Sequence, residues 1–347
     1  MLADIAMFTV GFALVLGIVL SALGTVVLPH GGSTQLTRGV FRAMRHVATA
    51  YGRLDRSPRR QHTATQVAVA CGLLLLPMIW LGVTMVGYTC MFKSFGSPTW
   101  RSAYDIAGSS MLTLGFAKEE GLPTLTLSFT AAALTIAILA LLLVTYLPTI
   151  YQAYVSREVG LTAFETVAGE PPNVTAMLIR LHRIGGLEGL NRVWDESRTW
   201  FAELRESHTA LPAVAFLGSS RGDRRWVATV GTMLDAASLS LAVIDLPDDP
   251  DAALCVRAGS LALRDIAAYF GIEVDHDPSP DAPISVSREQ FDRVYDQLDA
   301  AGVPVRARDE SWTAWAGWRV NYDAAIVGLG RLTMTPTMRL TSDDVAL

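Results

Sequence analysis

Residues Ser97 to Gly121 read S-P-T-W-R-S-A-Y-D-I-A-G-S-S-M-L-T-L-G-F-A-K-E-E-G, between two long uncharged runs, Thr63 to Phe92 and Gly121 to Ser156. Each flanking run is long enough to cross a bilayer, for which about 20 apolar residues suffice. The stretch between them is too short to cross and is expected to dip in and return. Ser97 and Thr99 around Pro98 are residue types that start helices, since a hydroxyl can cap the first turn and proline lacks only an N–H that is unused there. A short helix ending near Met111 is predicted, followed by a non-helical segment. Backbone of that kind is tolerated at membrane depth only where it lines a wet cavity or is buried in protein.

The segment after this helix, Thr113-Leu114-Gly115-Phe116-Ala117, resembles the T-V-G-Y-G filter of potassium channels. In that family a threonine hydroxyl and successive backbone carbonyls replace the hydration shell of the ion. The likeness holds at four of five positions, counting Leu for Val and Phe for Tyr. It implies that Thr113, Leu114, Gly115, Phe116 and Ala117 are the ion ligands and that four copies of the chain close the ring. Ala117 stands where the family has a second glycine, whose backbone hand costs an L-residue about 1–2 kcal/mol. Lys118 stands where the family commonly has Asp. With Glu119 it marks the outer mouth, either as a ring of positive charge or as an ordinary lysine paired with Glu119, Glu120 or Asp105. The competing reading is a turn of a plain membrane hairpin, with Gly115 supplying a positive φ.

Working outward, residues Ile5 to Pro29 carry no charge and form a first predicted span, 1–30. Asp4 replaces the basic start of a signal peptide and the apolar run is too long for one. The loop at 31–62 holds seven arginines against the single acid Asp55, which makes it cytoplasmic by the positive-inside rule. Within it Val40, Phe41 and Met44 alternate with arginines as an inner-leaflet helix would, or as a solvated basic connector. The pore domain is assigned to 63–156, with an outer helix, pore helix, filter and an inner helix crossing at Leu127 to Tyr146. The N-terminus then lies outside and the C-terminus in the cytoplasm of a cell membrane, plasma or bacterial inner.

From Tyr151 onward the chain has 18 Arg and no Lys against 28 Asp and Glu, a net of −10. So acidic a region is unsuited to nucleic acid. Apolar residues recur there at helical spacing: Leu187, Leu190, Trp194 and Phe201; Trp226, Val230 and Met233; Val256, Leu263, Ile266 and Phe270; Phe291, Val294 and Leu298; Trp312, Trp315 and Trp318. A helical cytosolic domain over 157–347 follows, so the whole chain is expected to be an all-α membrane protein.

Composition and motifs narrow the function. Hydrophobic residues make up 51% of the 347, which suits a mixed membrane and soluble chain. The three cysteines lack C-x-x-C spacing, so neither a disulfide framework nor a cysteine zinc site is expected. No H-E-x-x-H, G-x-x-x-x-G-K or strand-borne G-x-G-x-x-G occurs, and no enzyme or bound cofactor is expected. Glu273, Asp275, His276, Asp277 and Asp281 could ligate a divalent ion, but lack the glycine and terminal Glu of a calcium loop and read as a solvated connector. His182 and His208 could titrate near neutral pH. The inner helix has no interior glycine, so Pro148 is the expected kink, with Leu142, Val144 and Tyr146 as the candidate hydrophobic gate. The expectation is a homotetrameric cation channel, potassium-permeable, opened by an unidentified cytosolic ligand or protein. A weakly selective channel is the first alternative, and a non-conducting sensor or scaffold with a vestigial loop the second.

Overall fold

Uncharged apolar runs fold as long helices because, away from water, a helix satisfies every backbone group within itself. The computed structural model describes residues 1–26, 58–117, 120–219, 224–247, 249–333 and 335. Among them the chain is all-helical, without strands. It divides into two units, one of residues 1–54 and 67–151, the other of 55–66 and 152–347. The basic loop, with its arginines and amphipathic pattern, falls almost wholly outside the described residues.

The first unit contains α1 (Leu2–Val26), most of α2 (Pro58–Ser94), α3 (Trp100–Met111) and α4 (Leu122–Ala140). A π-helical turn (Leu141–Tyr146) and the start of α5 (Leu147–Ala168) complete it. Three stretches are long and apolar enough to cross a membrane: Leu2–Gly24, Leu75–Ser94 and Leu122–Ala168, the last of 47 residues. Its core joins Val15 of α1, Tyr88, Met91 and Phe92 of α2, Ala103, Ile106, Ala107 and Met111 of α3, and Leu127 and Ala131 of α4.

The sequence left the packing of the first helix open; α1 lies directly on α2. A Cβ added at Gly11 would come within 2.4 Å of the Gly87 carbonyl oxygen, and one at Gly87 within 2.9 Å of the Gly11 carbonyl oxygen. Two helices approach this closely only where small residues meet. Phe8 stacks edge-on against Phe95 at the same seam, with ring centroids 5.6 Å apart.

The second unit contains the rest of α5, then α6 (Val174–Arg183), α7 (Leu190–Ala210), α8 (Trp226–Ala242), α9 (Pro250–Tyr269), α10 (Arg288–Ala300) and α11 (Arg308–Leu332). Caps fix several starts: Asn173 accepts from Ala176 N, Asp249 precedes Pro250 and accepts from Asp251 N, and Ser287 forms a capping box with Gln290. The apolar α8 is buried nearly all round and touches α6, α9 and α11, so it is the centre of the bundle. The helical-period residues named above gather in this one core, with Phe270, Trp312 and Trp318 at its edge.

Close approach recurs where α5 meets α7. A Cβ at Gly160 would fall 2.1 Å from Trp200 Nε1, and that indole donates to the Ser156 carbonyl at 3.2 Å. Ser156 Oγ donates to Glu203 at 2.6 Å in the same contact.

Candidate functional site

The short helix α3 begins as its sequence requires: Thr99 is the N-cap and its hydroxyl accepts from Ser102 N at 3.1 Å. Ala103, Ile106, Ala107 and Met111 form its buried face. Gly108 lets α2 come close, since a Cβ there would sit 2.7 Å from Met85 Cε. The helix is thereby anchored along one side before the chain turns out of it.

What holds the following loop is Ser109, only 1% exposed. Its carbonyl accepts from Leu114 N at 2.9 Å and, more distantly, from Gly115 N at 3.4 Å. Its hydroxyl accepts from Ala117 N at 3.0 Å. Three amides of the loop therefore point back at one residue of the helix. Among the described residues no donor reaches a carbonyl oxygen between Thr113 and Ala117. The Thr113 hydroxyl donates to the Leu112 carbonyl at 2.7 Å.

Backbone handedness departs from the sequence expectation. Gly115 has φ 70°, but the strain foreseen at Ala117 falls on Thr113, with φ 55°, the one non-glycine residue at positive φ among those described. The reversal occurs at Thr113 because the chain must leave α3 while its next amides turn back to Ser109. Ala117 is partly buried against the core of the unit, whereas Leu114 and Phe116 are 61% and 69% exposed on the single chain. Nothing lies within 4 Å of a Cβ placed on Gly115. Lys118 and Glu119 lie outside the described residues.

Of the candidate gate residues, Leu142 and Tyr146 are buried and Val144 is 74% exposed. Pro148 is also exposed. The structure thus brings Leu142 and Tyr146 to one side and sets Val144 and Pro148 apart from them. The break expected at Pro148 is preceded by the π turn, in which Leu147 N donates to the Leu142 carbonyl. A wider turn here is consistent with the proline, which cannot donate to the carbonyl four residues back and whose ring crowds it. α1 packs against this π turn, a contact with no signal in the sequence.

In the second unit the polar residues bind one another. Arg157 donates to the Val214 and Leu217 carbonyls at 2.8 Å each and to Glu158 at 2.9 Å. Arg224 joins Glu158, Glu165 and Thr162. Arg319 pairs with Asp235 and, at 2.9 Å, with Asp323, while Tyr322 donates to Asp235 at 2.9 Å. Burial pushes the Asp235 carboxyl up, and Arg319 opposes the shift. His208 is fully buried and, mainly through burial, held down to about 3, so it does not titrate near neutral pH. The acidic connector is used structurally: the His276 carbonyl accepts from Arg264 at 2.8 Å. No group of three or more His, Cys, Asp or Glu is placed to hold a metal among the described residues. A cleft of about 400 Å³ at the start of α7 is lined by Glu188, Trp194, Asp249 and Asp251 among others.

Comparison of the chain with protein-family models, with curated proteins and with solved structures gave no match.

Proposed function

We propose that four copies of this chain assemble in a cell membrane into a cation channel that passes potassium, with Thr113 to Ala117 lining the narrow part of the pore. The observation carrying this reading is the run of carbonyls from Thr113 to Ala117, without donors among the described residues, at the end of a short helix packed by one face against span-length helices. Successive acceptors of this kind can replace the water around a monovalent cation. The exposure of Leu114 and Phe116 on one chain fits a loop that neighbouring copies cover. The seven arginines of the loop at 31–62 support an orientation with the N-terminus outside and the acidic second unit in the cytoplasm. The π turn with Leu142 and Tyr146 is the proposed gate, and the second unit the proposed receiver of a cytosolic signal.

Reconstitution of the full chain in liposomes tests this directly. Potassium flux driven by a gradient is expected, and its absence in an assembled protein sinks the reading in favour of a non-conducting scaffold. Gly115→Ala sharpens the test, because the single chain has room for the added methyl. A folded, assembled variant without current is expected, since an alanine at this positive φ must shift the loop backbone; full current detaches Gly115 from the pore.

A further inference from the structure

Ser109 is a small polar residue in the apolar face of α3, and no feature of the sequence marks it. It is almost entirely buried, yet both its polar oxygens are engaged by the loop rather than by its own helix alone. The two contacts differ in kind. The bond to Leu114 N uses the Ser109 backbone carbonyl and survives any substitution at 109, whereas the bond to Ala117 N uses the hydroxyl and exists only because the residue is serine. Ala117 is the position at which the loop departs from the glycine of the family it resembles, and it sits outside the left-handed region. Without a fixed amide, the peptide groups around Ala117 would be free to rotate and carry their carbonyls away from the pore axis.

We infer that Ser109 is the positioning residue of this loop: its hydroxyl anchors the Ala117 amide and so holds the outer carbonyls in the orientation that discriminates potassium from sodium. The inference rests on the channel reading and adds to it the residue on which selectivity depends. Its logic is one of preorganisation. Selective replacement of a hydration shell needs ligands held in number and direction, and a tether of one hydrogen bond is worth roughly a factor of five in the population of the held conformer.

The test uses the full chain with serine, alanine or threonine at 109. Hydrogen exchange resolved to single amides, on protein in lipid nanodiscs, is expected to show Ala117 exchanging roughly fivefold faster in Ser109→Ala, with Leu114 unchanged. Ser109→Thr, which keeps a hydroxyl, should retain slow exchange at Ala117. In bi-ionic recordings the potassium-to-sodium permeability ratio of Ser109→Ala should fall by a similar factor of roughly five. Unchanged exchange at Ala117, an unchanged ratio in a conducting Ser109→Ala channel, or a wild-type ratio near one each overturns the inference. Faster Ala117 exchange in a protein that carries no current even as wild type overturns the channel reading instead, because the exchange measurement needs no current.

Discussion

The two units differ in the polar groups they bury: both bury hydroxyls, but among the described residues only the second buries charges. In the first, the buried polar residues among those described are hydroxyls: Ser21, Thr84, Thr89, Ser97, Ser109, Thr124 and Thr135. Several return their proton to their own helix, as Thr89 does to the Met85 carbonyl at 2.7 Å and Thr135 to the Ala131 carbonyl at 2.9 Å. In the second unit they include Arg157, Glu165, Arg224, Asp235, Arg264, Arg319 and Asp323, each held by partners elsewhere in the bundle or one helical turn away. A hydroxyl such as that of Thr89 or Thr135 can be satisfied within its own helix; a buried charge cannot, so it specifies which helices must meet. The buried charges of the second unit therefore specify one arrangement of its helices.

The contrast is sharpest where one charge is taken away. Arg319→Met strands Asp235 and Asp323 in the core and is expected to destabilise the second unit by about 3–5 kcal/mol, read as a lower denaturant midpoint in tryptophan fluorescence. A loss below about 1 kcal/mol would mean that water reaches the network.

In the first unit the comparable sensitivity lies in shape. Gly11→Ala forces a methyl toward the Gly87 carbonyl and should cost about 1–3 kcal/mol, measurable as a reduced melting temperature in detergent. An unaffected protein would show that α1 is free to move off α2.

Protonation gives the third test. His208 is held to about 3 when folded and returns to its ordinary 6.5 when unfolded. Below pH 6.5 the unfolded chain takes up a proton that the folded one refuses, so stability falls with falling pH. The slope contributed is about 1.4 kcal/mol per pH unit down to about pH 3. Comparing denaturation of the wild type and His208→Leu at pH 7 and pH 5 isolates it, and equal pH dependence in the two would show that His208 is wet.

The smallest effect is expected where the polar group is self-contained. Thr135→Val removes a hydroxyl that only decorates its own helix and should change the melting temperature by an amount equivalent to less than about 0.5 kcal/mol. A larger loss would reveal a second partner for Thr135.

Period and punctuation made the helical bundle legible, because Leu190, Trp194 and Phe201 or Phe291, Val294 and Leu298 can face one way only in a helix. Thr99 announced its helix by capping chemistry that acts within one turn. The role of Ser109 was not legible, since a serine amid small apolar residues gives no sign that its hydroxyl meets an amide eight positions on. Nor was the π turn, because Leu141-Leu142-Leu143-Val144-Thr145-Tyr146 is uniformly apolar up to its end and carries no contrast by which a change of pitch would show. The burial of Arg157 and Arg319 has no signal in the sequence, because burial is a property of what the rest of the bundle brings to them.

The seat of Trp200 on Gly160 acts as a key in a keyway. A helix turns by 100° per residue, so rotating α5 by one position about its axis would replace the bare Cα under the indole with the side chain of Val159 or Leu161, for which there is no room. The contact therefore fixes the rotational phase of α5 relative to α7, and with it the bearing of every other side chain along that part of the helix. Sliding without turning is barred as well, since the indole grips the Ser156 carbonyl one turn away.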